Sequence, residues 1–92
     1  MSAWRIIGGP RLDDQPRPHS ERVWLYDIEG ERGRRTVTVE VTGILAAGGG
    51  RLLDDVELAF STQGRSAVTA VLGSDDPPER LIVTPAGIHA ER

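Results

Sequence analysis

The sequence predicts a small α+β domain: a mixed or antiparallel sheet of three to five strands with one main helix, continuous or kinked, on one face. Three observations carry that expectation. Thr36-Val37-Thr38-Val39-Glu40-Val41-Thr42 alternates strictly, valines to one side and a Thr/Glu ladder to the other, which fixes a half-buried strand. Leu53, Val56, Phe60, Gly64, Ala67 and Val71 recur near the 3.6-residue period of a helix. A chain of 92 residues has room for one domain, 1–92, and one core, with modest stability unless another chain helps.

The elements follow in order. Ala3-Trp4-Arg5-Ile6-Ile7 can make a short strand that returns to the core. Residues 8–21 hold three prolines and almost nothing apolar, so they read as an irregular Pro-rich arm. Val23-Trp24-Leu25-Tyr26-Asp27-Ile28 sets Trp24, Tyr26 and Ile28 against Val23 and Leu25 on opposite faces, a strand at least partly covered on both. The charged, glycine-containing stretch 29–34 turns that strand into the Thr/Val strand, as a hairpin with a solvated tip. Gly43-Ile44-Leu45-Ala46-Ala47 extends the strand to Gly48-Gly49-Gly50, which continues no regular structure.

A helix from about Leu52 to Leu72 follows, with Asp54 and Asp55 suited to its amino terminus. The competing reading takes Val56-Glu57-Leu58-Ala59-Phe60 as a strand and starts a shorter helix at Thr62. Asp75-Asp76-Pro77-Pro78 ends the helix either way. Leu81-Ile82-Val83 is a continuously apolar, central strand, and Thr84-Pro85-Ala86-Gly87 turns the chain into a tail, 88–92.

Composition removes several function classes. Without cysteine there is neither a disulfide framework nor a thiolate metal site, and a cytoplasmic setting fits best. No stretch approaches the roughly 20 apolar residues of a spanning helix, and the first residues lack the pattern of a secretory leader, so no membrane association is expected. All 11 basic side chains are arginine and asparagine is absent, a bias that suits a high-GC bacterial genome. The arginines are scattered and the net charge is −3, which argues against nucleic acid.

Catalytic constellations are equally sparse. His19 sits in the arm and His89 in the tail, neither with the companions a general base or a metal ligand needs. The doublets Asp13-Asp14, Asp54-Asp55 and Asp75-Asp76 point their side chains apart on a helix or a strand. No serine lies in a Gly-x-Ser-x-Gly elbow, and covalent chemistry through cysteine or lysine is excluded by composition. The expectation is a non-enzymatic chain without metal or cofactor.

Surfaces remain. One helix covers one sheet face, so Val23, Leu25 and Ile82 are expected on the other, with Trp4 beside the arm as an interface anchor. Apolar side chains of that size would remove a few hundred Å² from water, several kcal/mol at about 25 cal/mol per Å². The leading expectation is an accessory, regulatory or immunity-type module that binds a protein, a second copy of itself included. The alternative is a nucleic-acid or anion module using Arg32, Arg34 and Arg35 at the hairpin tip with Gly48, Gly49, Gly50 and Arg51, although Glu29 and Glu31 interrupt the basic cluster and the P-loop residues are missing. A third reading is a small-ligand pocket lined by Tyr26, Val39 and Phe60.

Overall fold

The computed structural model describes residues 3–13, 22–42 and 53–91, the side chains of 53–59 excepted. Among these residues, five strands form one mixed sheet in the order β1-β2-β3-β4-β5, with one helix against it. The strands are β1 (Arg5–Leu12), β2 (Arg22–Gly30), β3 (Gly33–Val41), β4 (Arg80–Thr84) and β5 (Gly87–Glu91), and α1 spans Leu53–Val71. Only β3 and β4 run parallel, because α1 carries the chain between them; the other pairs are antiparallel.

The alternation of β2 and β3 sets the two faces. In register, Trp24 lies opposite Val39 and Tyr26 opposite Val37, and these residues face α1 with Ile28, Val41, Leu81 and Val83. α1 meets them through Phe60, Gly64, Ala67 and Val68. Gly64 is the contact point: a Cβ there would come within 3.0 Å of Tyr26 Oη and 3.1 Å of Trp24 Cδ1. Its missing side chain lets the helix settle onto two aromatic rings, and Tyr26 Oη donates to the Ser61 carbonyl at 2.9 Å. The helix is continuous through 56–64, so the competing strand reading of 56–60 does not hold. Burial of the Phe60, Gly64 and Ala67 stripe overrides the weak local propensity of Ser61-Thr62-Gln63-Gly64.

Two expectations are corrected. Residues 8–12 belong to β1 and not to an irregular arm. Two register shifts absorb the glycines and Pro10, after which Arg11 still pairs with Leu25 and Leu12 with Trp24. Gly9 (φ +102°) passes so close to β2 that a Cβ would sit 2.6 Å from the Leu25 carbonyl oxygen. The remainder of the arm, 14–21, lies outside the described residues. The tail is likewise a strand: a two-residue loop, Pro85-Ala86, folds β5 back on β4, with Thr84 Oγ1 accepting from the Ala86 N–H at 3.1 Å.

Candidate interaction surfaces

The sheet face away from α1 carries Val23, Leu25 and Ile82, the three sheet residues expected at an interface. It does not leave them as a continuous apolar patch. Val23, Glu40, Ile82 and His89 form one row across β2 to β5, so a carboxylate separates the two aliphatic side chains. Val23 is 4% exposed and Glu40 also 4%, with Leu25 and Ile82 half-buried. The Thr/Glu ladder is therefore not uniformly solvated: Glu40 is buried and accepts from Arg80, which also reaches Glu91 at 3.2 Å.

The rest of this face is paired charge. Glu29 accepts from Arg5 at 2.7 Å and from Arg34 at 2.8 Å, and the two guanidiniums, Arg34 foremost, hold its carboxyl below the usual range. Asp27 accepts from both terminal nitrogens of Arg11 and from Thr36 Oγ1 at 3.0 Å, and its carboxyl is likewise lowered, chiefly by Arg11. These pairs tie β1 to β2 and β3 side by side.

Trp4 lies elsewhere. It is 6% exposed, within the core cluster on the helix side, and its backbone N–H donates to the Leu72 carbonyl at 3.3 Å. Gly30 passes directly against its indole, where a Cβ would be 2.7 Å from Trp4 Cδ2. Arg35 covers the ring with its guanidinium 5.0 Å from the centroid. The structure thus brings Val23, Leu25 and Ile82 to one face and places Trp4 inside, joining the start of β1 to the end of α1.

The three hairpin arginines diverge. Arg34 meets Glu29, Arg35 runs over Trp4 to Asp76 at 3.0 Å, and Arg32 stands exposed in the two-residue turn. Gly48, Gly49, Gly50 and Arg51 lie outside the described residues, as does His19. Tyr26, Val39 and Phe60 are packed together at 0%, 0% and 3% exposure, so the space expected for a small ligand is filled by their own side chains. Among the described residues, no cluster of His, Asp or Glu is placed to hold a metal, and no helix is long and apolar enough to cross a membrane.

The surface that sequence reasoning missed is β5. Four of its five residues are exposed, Ile88 to 48%. α1 packs on β1 to β4, with β5 beyond its main footprint. The ladder geometry says where its backbone points. Val83 gives its carbonyl to the Thr42 N–H at 2.9 Å and Glu79 gives its carbonyl to Thr38, so the odd residues of β4 face β3 and the even ones face β5. Thr84 with Gly87, Ile82 with His89 and Arg80 with Glu91 are then the hydrogen-bonded pairs. The N–H and C=O groups of Ile88 and Ala90 point outward, with no strand beyond them among the described residues. The four-residue alternation Ile88-His89-Ala90-Glu91 was the available signal.

Comparison with known proteins finds no match among family models, curated proteins or solved structures.

Proposed function

We propose that this chain is a non-enzymatic protein-interaction module that takes its partner by strand addition at β5. The supporting observation is an edge left open among the described residues: outward-facing amides and carbonyls at Ile88 and Ala90, a large exposed aliphatic side chain, and α1 packed mainly on β1 to β4. This moves the expected interface from the Val23, Leu25 and Ile82 face, which is cut by Glu40 and lined with ion pairs, to the neighbouring edge. A cysteine-free composition supports a reducing, cytosolic setting, and the arginine-only basic set a high-GC bacterial source.

The test uses displayed random peptides of about eight residues, enough to span a strand of this length. Panning on the chain should recover peptides whose binding weakens tenfold or more in Ala90→Pro and which protect the Ile88 and Ala90 amides from hydrogen exchange. Proline at 90 removes an outward donor and leaves the pairing with β4 in place. Recovery of no peptide, or only of peptides that bind Ala90→Pro equally well, overturns the reading.

A further inference from the structure

We infer that the occupant of the β5 edge is a second copy of this chain, joined antiparallel through β5 about a two-fold axis at His89. The inference rests on the strand-addition reading and names its partner. Three features of the strand select a copy of itself.

The first is register. With the axis through His89, Ile88 lies opposite the second copy's Ala90 and Ala90 opposite its Ile88. In β5 those are the two residues whose backbone groups point outward. Each such pair exchanges two hydrogen bonds, so every outward N–H and C=O of Ile88 and Ala90 is used in both copies. Shifting the axis to Ile88 sets Ala90 opposite Ala86 of the turn and leaves its outward groups unmatched.

The second is side-chain fit. On the helix side the two Ile88 side chains meet diagonally across the small Ala90 residues, covering the aliphatic surface that α1 leaves open. On the opposite side Glu91, already paired with Arg80, comes opposite a glycine, so no carboxylate faces another across the junction.

The third is closure. Head-to-tail growth would require the other edge, and β1 opposes it with Pro10, which has no N–H, and with two register shifts. Isologous pairing consumes the open edge of each copy and ends the assembly at two. The product is one continuous sheet of ten strands. A junction of two five-residue strands is short, so the dimer is expected at the weak end of specific association, with mass rising over roughly 10 µM to 1 mM.

Light scattering and sedimentation of the full chain across that range provide the test, with hydrogen exchange read at Ile88 and Ala90. The expected result is a monomer–dimer equilibrium in which those amides gain protection as concentration rises. Ala90→Pro removes two of the four junction bonds and should weaken dimerisation about 30-fold. To separate the junction from any change in the strand itself, His89→Glu is measured beside it. It keeps every backbone donor and sets two carboxylates about 5 Å apart across the axis, so it should dissociate the dimer at low salt and regain part of it at high salt.

A chain that stays monomeric throughout overturns the second copy as occupant, while the peptide selection still decides whether the edge accepts strands. A dimer that survives both substitutions overturns it too, and places self-association on another surface.

Discussion

The two edges of the sheet are built on opposite plans. β1 is irregular in its backbone and tightly held by side chains: Trp4 is buried at its approach, Arg5 and Arg11 are bound to Glu29 and Asp27, and Pro10 with two register shifts interrupts its outer rim. β5 is regular in its backbone and, among the described residues, is held mainly by its ladder to β4 and by the pairing of Arg80 with Glu91. The difference teaches where each edge draws its stability. β1 is stabilised from within and blunted against further pairing, whereas β5 leaves its hydrogen-bonding groups available.

Trp4→Ala should produce the largest effect. It empties a site enclosed by Gly30, Arg35 and the end of α1, and a loss of about 3 to 5 kcal/mol is expected in urea unfolding. The matched change on the other edge, Ile88→Ala, removes a side chain 48% exposed and should cost less than about 1 kcal/mol. Equal costs at the two edges would break the comparison. Tyr26→Phe falls between them. It deletes the hydrogen bond to the Ser61 carbonyl while keeping the ring against Gly64, and about 1 kcal/mol is expected, with β5 amide exchange unchanged because α1 packs mainly on β1 to β4.

The contrast between the edges also explains what the sequence could and could not disclose. β2, β3 and α1 were legible because their periodicity is the direct imprint of burial: Trp24, Tyr26 and Ile28, then Val37, Val39 and Val41, then Phe60, Gly64 and Ala67 all face one core. The ends of the sheet were not. Gly8-Gly9-Pro10 has the composition of a loop, and what places it in β1 is long-range, the antiparallel ladder to β2 that also brings Arg11 to an aspartate 16 residues away. β5 lacks a buried side chain, so it has no hydrophobic imprint to read beyond a four-residue alternation. The site followed the same rule. Val23, Leu25 and Ile82 share the face away from α1, but the burial of Glu40 between Val23 and Ile82 depends on the parallel register of β3 and β4, which sequence spacing does not encode. Trp4, next to a proline-rich segment, looked like an anchor for a partner and is instead the anchor for β1.

The smallest effect isolates the electrostatic clamp on β1. Asp27 has its carboxyl below the usual aspartate range because Arg11, and secondarily Thr36, bind the ionised form in the folded chain. A carboxylate whose folded pKa is depressed contributes stability above its unfolded pKa and loses it as pH falls through the folded value. The Asp27 contribution is therefore complete by about pH 5 and drains away below about pH 4. Glu29, lowered by Arg34 and Arg5, titrates in the same direction, so acid destabilisation of the wild type sums both groups. Asp27→Asn separates them. It preserves the shape of the side chain, removes its charge, and should cost less than about 1 kcal/mol at neutral pH, as expected for an exposed pair. Urea midpoints of the two proteins should converge as pH is lowered from 5 toward 2. A gap that persists at pH 2 would mean that Asp27 holds β1 through shape and hydrogen bonding in both protonation states, and the clamp would then not be ionic.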